Sequence, residues 1–209
     1  MQCGPIRVRV DPKRQTRLRE FDHTVIFKYT DFLLPPELAE PTIQEVFQRI
    51  VRYDARNRIL IEDIIRAVRE GRSPLVLTER VEHLEFLAGE IEKEIEHVVV
   101  LRGGMGKREQ AAIDETLREI PDDTPRVILA TGRYIGEGFD NPRLDTLFMA
   151  FPISWRGTLQ QYVGRLHRNH SSKKEVQVYD YVDQHIPVLV RMYEKRLKGY
   201  RSMGYSIKD

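Results

Sequence analysis

The segment from Gln160 to Arg168 holds the residues whose types and spacing could do chemistry. On a helix, Gln161, Arg165 and Arg168 would share one face, because they stand at positions i, i+4 and i+7. A pair of arginines held on a rigid helix can clamp a transferring phosphoryl group. Gly164, on the adjacent face, would let another backbone approach closely. The alternative interpretation is a solvated helix face whose arginines pair with nearby acids.

Polar or glycine-rich residues also follow three apolar runs that are expected to be strands. Ligands bind beyond the carboxyl ends of the strands in an open parallel sheet, and hydroxyls and exposed backbone amides there suit phosphate oxygens. Glycine alone is a weak signal, because it also marks ordinary turns. The three candidate segments are Thr78-Glu79-Arg80, Arg102-Gly103-Gly104 and Thr131 to Asp140.

The sequence contains no complete phosphate-binding or metal-binding motif. The string nearest to a Walker A loop, Leu101 to Arg108, has leucine in place of the first glycine and arginine in place of the hydroxyl residue. The glycines from Gly132 to Gly138 do not have the spacing of a dinucleotide fingerprint. The histidines are dispersed, and His167 and His170 have no third ligand nearby. A self-sufficient NTPase, a dinucleotide enzyme and a metal site are therefore disfavoured.

The elements that must position these residues alternate between short apolar runs and helical patterns from residue 74 onward. The runs are continuously apolar, which indicates strands that are covered on both faces. This pattern predicts an α/β fold, a three-layer sandwich with a mostly parallel sheet. The predicted strands are 75–77, 98–101, 127–130, 146–151 and 176–182, and the predicted helices are about 82–94, 107–119, 158–167 and 187–200.

The N-terminal part of the chain has a different character. A β-branched and aromatic run from Val25 to Tyr29 predicts a strand, and three prolines make 31–41 a loop. Apolar spacing then predicts two helices, the second ended by Gly71. Basic residues crowd the segment from Arg7 to Arg19. That segment is either a solvated linker or an arm that contacts phosphates.

Composition limits the class of protein. The 209 residues fit one ordinary domain. Because 34 Lys+Arg face 32 Asp+Glu, any basic surface for nucleic acid must be local. The single Cys3 can form neither an internal disulfide nor a zinc site, which favours a reducing, cytoplasmic setting. The sequence shows no signal peptide and no apolar run of the roughly 18 residues that a membrane span needs, so no membrane partner is expected.

The order of the motifs resembles that of superfamily 2 DNA/RNA helicases, near the DEAD/DEAH-box and type III restriction-like branches. Gln161-x-x-Gly164-Arg165-x-x-Arg168 resembles motif VI. Ala130-Thr131-Gly132, followed by Glu137 to Pro142, resembles motif V, and Leu75 to Arg80 resembles motif IV. Arg102 to Met105 occupies the place of the short basic motif after the next strand. The resemblance covers about residues 55–185 and implies the C-terminal RecA-like domain of such a motor.

The resemblance also implies roles for individual residues. Arg165 and Arg168 match the arginine fingers that reach the γ-phosphate, and Gln161 matches the glutamine of the same network. His167 replaces a glycine that is common in the DEAD-box form, which leaves the subfamily open. The positions implied for nucleotide binding are Gly138, Asp140 and Gly164, and those implied for the nucleic-acid backbone are Thr78, Arg102, Gly103, Thr131 and Gly132.

The expected function is that of the C-terminal motor domain of an ATP-dependent helicase or translocase. ATP and Mg²⁺ would be held mainly by a first RecA-like domain that is absent from this chain, so the chain alone is expected to be inactive. The expected partners are that domain of the same full-length protein and DNA or RNA, with DNA favoured. The expected organisation is a linker and N-terminal extension at 1–54, the RecA-like domain at 55–185 and a C-terminal helix at 186–209.

An alternative function is a non-catalytic RecA-like module that binds nucleic acid or protein. The complete set of Gln161, Arg165 and Arg168 argues against it, because a domain that no longer takes part in ATP hydrolysis has no need of these residues. A small-molecule enzyme of the Rossmann type is disfavoured by the missing glycine fingerprint.

Overall fold

The chain alternates strands and helices along most of its length, as the apolar runs predict. The computed structural model describes residues 21–208 except 39, 137, 138, 140, 155, 169, 171 and 172. The basic segment from Arg7 to Arg19 therefore lies outside the described residues. The strands are β1 Asp22–Thr30, β2 Pro74–Thr78, β3 His97–Leu101, β4 Arg126–Thr131, β5 Thr146–Met149, β6 Glu175–Asp183 and β7 Ser206–Lys208.

The helices lie between these strands, close to the predicted bounds. Gly71 has a φ of +78°, so it ends the second helix as expected of a residue in the left-handed region. The α-helices are α1 Ile43–Ile50, α2 Asp54–Arg69, α3 Val81–Ile91, α4 Lys107–Glu119, α5 Gly132–Gly136, α6 Arg156–Gly164 and α7 Pro187–Met203, and a 3₁₀ helix spans Arg165–His167.

All of the described strands form one parallel sheet in the order β3-β4-β2-β5-β6-β1-β7. Successive residues of β2 face opposite layers: Leu75 and Leu77 pack into one core and Val76 into the other. Residues of α2 and α3 cover the Val76 side, while α6 and α7 cover the opposite side. The predicted α/β three-layer sandwich is confirmed, and the described sheet is entirely parallel.

Strand β1 lies inside the sheet, although residues 1–54 were expected to form a linker and extension. Its nine residues pair in register with β6, from Asp22 opposite Glu175 to Thr30 opposite Asp183. Its other edge pairs with β7. The apolar run predicts the strand itself, but its place beside β6 depends on pairing with residues far along the chain. No described helix combines the length and the apolar character needed to cross a bilayer.

Candidate nucleic-acid surface and arginine pair

Strand register brings the predicted backbone-contacting residues to one edge of the sheet. Thr78 and Thr131 are direct partners across β2 and β4, and Leu101 pairs with Ala130 across β3 and β4. The Gly103 amide donates a hydrogen bond to Thr131 Oγ1 at 3.0 Å. We call this edge the strand-end surface; it comprises the exposed Arg102 and Arg133, the half-buried Gly103 and the buried Thr131 and Gly132.

Gly132 is required at this surface by a close approach. A Cβ at this position would lie 1.8 Å from Tyr162 Oη and 2.2 Å from Glu79 Oε1. The Tyr162 hydroxyl itself donates to Glu79 Oε1 at 2.7 Å. Burial and this hydrogen bond raise the pKa of Tyr162 well above its usual range, so it remains a neutral donor. Motif V and α6 therefore meet at a glycine that no other residue could replace without displacing Tyr162 or Glu79.

Thr78 differs from the expectation of an exposed phosphate contact. Its side chain is buried, and its hydroxyl lies 3.0 Å from His83 Nδ1. Asn57 donates through Nδ2 to Val51 O, which turns its Oδ1 toward His83 Nε2 at 3.0 Å. Nε2 therefore carries the imidazole proton, and Nδ1 accepts the proton of the Thr78 hydroxyl. The Thr78 hydroxyl is therefore used in an interior hydrogen bond, which fixes the end of β2.

Burial holds His83 in this neutral form. It lowers the pKa of His83 to about 3, and the nearby charge of Arg56 acts in the same direction. The chain of hydrogen bonds from Asn57 through His83 to Thr78 thus ties α2 and α3 to the end of β2.

Arg102 is accessible at the strand-end surface. Its side chain is 49% exposed and lies 3.6 Å from Glu85 Oε1 and 3.9 Å from Glu109 Oε1. Exposed ion pairs of this kind contribute only about 0–1 kcal/mol, so a phosphate can compete for the guanidinium. Gly103 leaves room for a neighbouring arginine, since a Cβ there would lie 2.9 Å from Arg133 Cδ.

The prediction of one continuous helix through motif VI is wrong. The α-helix ends at Gly164, Arg165–His167 form a 3₁₀ turn, and Arg168 is extended with φ −72° and ψ 136°. A 3₁₀ turn has about 3.0 residues per turn rather than 3.6, so the i, i+4, i+7 face does not continue to Arg168. Gly164 also differs from the expectation, because a Cβ there would meet no atom within 4 Å among the described residues.

Arg165 is half-buried and holds the end of α5. Its Nη2 donates to Ile135 O at 2.7 Å. Its Nε is buried and has no hydrogen-bond partner among the described residues. A buried N–H without an acceptor is costly, and a phosphoryl oxygen would satisfy it with a charge-assisted bond. The role of Arg165 toward a phosphoryl group stays a prediction.

Lys173 is a structural anchor of motif VI that sequence reasoning missed. Its side chain is buried, and Nζ donates to Leu166 O at 2.8 Å, Arg168 O at 2.8 Å and Pro142 O at 2.9 Å. The lysine thereby fastens the end of the 3₁₀ turn to the loop before β5. Its partners are main-chain carbonyls, which the sequence does not specify, so no signal in the residue types could have revealed it.

Gln161 lines a different feature from the two arginines. It lines a groove together with Glu79, Arg80 and Gly132, and neither Arg165 nor Arg168 lines that groove. Gly138 and Asp140, the predicted motif V pair, lie outside the described residues. Among the described residues, no group of three His, Cys, Asp or Glu side chains could hold a metal ion.

A parallel α/β sandwich with motifs IV, V and VI at one edge defines the C-terminal RecA-like domain of superfamily 2 helicases. Residues 56–170 match the family described as helicase conserved C-terminal domain. The chain belongs to this family, since the match covers more than half of it. The resemblance identified from the motifs is therefore confirmed.

Individual relatives agree with this assignment. "Putative helicase 161L" of Invertebrate iridescent virus 6 is 29% identical over 163 residues, covering 74% of this chain and 35% of that protein. The crystal structure of T4 UvsW superposes with a TM-score of 0.70 at 23% identity, covering 90% of this chain and 41% of that one. S. cerevisiae Dbp5, bound to RNA and ADP BeF3, has a TM-score of 0.59 at 13% identity, covering 96% of this chain and 42% of that one. The chain thus spans well under half the length of these proteins.

Proposed function

We propose that this chain is the second motor domain of an ATP-dependent superfamily 2 helicase or translocase. In this proposal the strand-end surface contacts the nucleic-acid backbone, and Arg165 and Arg168 face a nucleotide held mainly by a first RecA-like domain. One observation carries the proposal: α6 contacts the strand-end surface and leads directly into the arginine pair. Tyr162 on α6 packs against Gly132 at the strand-end surface, and Arg165 follows within one turn, bonded to the end of α5.

Nucleic-acid binding would use backbone phosphates rather than base edges at the strand-end surface. Arg102 and Arg133 supply exposed guanidinium groups at this surface. Phosphate contacts make affinity fall steeply with salt concentration. DNA is the proposed preference, on the resemblance of the motifs to type III restriction-like helicases, and competition between oligodeoxythymidylate and oligouridylate tests it.

The role proposed for this chain in ATP hydrolysis is to stabilise the negative charge of the transferring phosphoryl group. ATP with Mg²⁺ supplies the transferable γ-phosphoryl group. The free Nε of Arg165 would donate to a phosphoryl oxygen, and Arg168 would add a second positive charge. Lys173 would hold the Arg168 backbone in position, through the bond from Nζ to Arg168 O.

The arginine assignment is tested in the full-length protein that carries the first RecA-like domain. An arginine finger accelerates phosphoryl transfer about 10³–10⁵-fold, so Arg168→Ala should abolish ATP turnover while the circular dichroism spectrum is retained. Arg118→Ala, at an exposed arginine on α4, is the matched control and should keep wild-type turnover. Near wild-type turnover in Arg168→Ala would contradict the assignment and favour a non-catalytic binding module.

The chain alone should neither bind ATP tightly nor hydrolyse it. A coupled phosphate-release assay on the 209-residue chain, with and without single-stranded DNA, measures this directly. Nucleic-acid-stimulated hydrolysis by the chain alone would show that it needs no first domain.

A further inference from the structure

A groove of about 880 Å³ opens beside the strand-end surface, between α1, α7 and the loop after β5. Its volume lies within the range of about 300–1,000 Å³ that is typical of ligand sites. We call it the α1/α7 groove. Its floor is apolar and consists of Ile43, Phe47, Phe151, Ile153, Val188 and Met192.

The rim of the α1/α7 groove is basic. Arg80, Arg133, Arg191 and Lys195 line it, and among the described lining residues Glu79 is the one acidic side chain. Glu79 already accepts the hydrogen bond of Tyr162. This charge pattern fits an anionic ligand and disfavours the basic segment of this chain between Arg7 and Arg19 as the occupant.

The groove is continuous with the strand-end surface. Gly132 and Arg133 belong to both, so a strand whose phosphates follow the strand-end surface reaches the groove without interruption. On the floor, the Phe47 ring packs against Phe151 with centroids 4.7 Å apart and an interplanar angle of 58°. Phe47 is only half-buried, which leaves part of its ring open to the groove.

We propose that the α1/α7 groove receives unpaired nucleobases of a single-stranded nucleic acid, with Phe47 as the stacking surface and the basic rim holding the flanking phosphates. An apolar aromatic floor with a cationic rim is the arrangement that binds single strands through base stacking and backbone charge. The inference rests on the proposed function, because the strand enters the groove from the strand-end surface. A base-paired duplex cannot place its bases there.

The test compares an oligodeoxythymidylate with the same oligonucleotide carrying abasic residues, by fluorescence anisotropy with the 209-residue chain. Stacking of one base on an aromatic side chain makes binding about 5- to 150-fold tighter, so the intact strand should bind tighter by about that factor. Phe47→Ser should reduce this ratio toward one. Phe86→Ser, at an exposed phenylalanine on α3 outside the groove, is the matched control and should keep it.

Equal affinity for the intact and abasic strands would overturn the groove inference and leave the proposed function standing, provided that binding remains salt-dependent. It would then favour a peptide as the occupant. If neither the intact nor the abasic strand binds, both the groove inference and the proposed function are overturned. If Phe47→Ser does not fold, Met192→Ser, which changes the same floor from α7, takes its place. An unchanged ratio in a folded floor variant contradicts the assignment.

Discussion

The Tyr162 hydroxyl and Glu79 Oε1 are joined by a hydrogen bond of 2.7 Å that lies directly against Gly132. The three residues come from α6, the loop after β2 and the start of α5. Because Tyr162 is held neutral, it donates at every physiological pH. Motifs IV, V and VI are thus coupled through one side-chain hydrogen bond that packs against the backbone of Gly132.

Gly132→Ala should destabilise the domain and weaken nucleic-acid binding. Its Cβ would collide with Tyr162 Oη, and overpacking of this kind costs about 1–3 kcal/mol. Chemical denaturation measures the cost, and oligonucleotide anisotropy measures the binding. Gly164→Ala is the control for stability: it has a helical backbone and open space, so it should stabilise by up to about 1 kcal/mol. Equal effects of the two substitutions would contradict the role of Gly132.

His83 should make the domain less stable as the pH falls. Its pKa is about 3 in the folded chain and about 6.5 in an exposed histidine. Between these values the unfolded chain binds the extra proton, so the free energy of unfolding decreases as pH falls from 6.5, by at most about 1.4 kcal/mol per pH unit. Urea titrations across this range should give a flatter profile for His83→Gln than for the wild type. Parallel profiles would contradict the prediction.

Breaking the buried pair of Arg196 and Asp180 from one side should strongly destabilise the domain. Arg196 donates through Nε and Nη2 to both Asp180 oxygens at 2.7 Å and through Nη1 to Ile153 O at 2.9 Å. Arg196→Met leaves a buried carboxylate with Tyr200 as its remaining donor, so it should cost about 3–5 kcal/mol.

Thermal and urea unfolding measure this cost, with Lys198→Met as the control. Lys198 is exposed on the same helix, so that change should stay within about 0.5 kcal/mol. The double variant Arg196→Met/Asp180→Leu should lose less stability than Arg196→Met alone, because no charge is then left buried. A larger loss in the double variant would show that packing, and not the charge pair, dominates.

The sequence predicts the layers of this fold but not its long-range contacts. Continuous apolar runs identify the strands of the sheet, because residues such as Leu75 and Val76 must be buried on opposite faces. The position of β1 beside β6 depends on pairing across the length of the chain, which no local pattern encodes.

The same distinction separates the candidate site residues. The positions of Arg102, Thr131 and Gly132 can be predicted, because they end or follow strands whose ends meet at one edge. Thr78 follows a strand in the same way, but its hydroxyl is taken by His83, a contact that depends on how α3 packs. The 3₁₀ turn that redirects Arg168 is likewise held by a contact that local spacing does not reveal, the bonds of Lys173 Nζ to Leu166 O and Arg168 O.

Lys173→Met should loosen motif VI and slow the motor without a comparable effect on ATP affinity. The substitution leaves the carbonyls of Pro142, Leu166 and Arg168 without their donor. At about 0.5–1.5 kcal/mol for each of the three lost bonds, the domain should lose about 1.5–4.5 kcal/mol of unfolding free energy. In the full-length protein, kcat should fall more than KM changes, because Lys173 acts through the Arg168 backbone.

Lys174→Met, at the exposed neighbour, should match the wild type in both measurements. Wild-type stability in Lys173→Met would show that the turn holds its shape without the lysine, and a change confined to KM would contradict the positioning role.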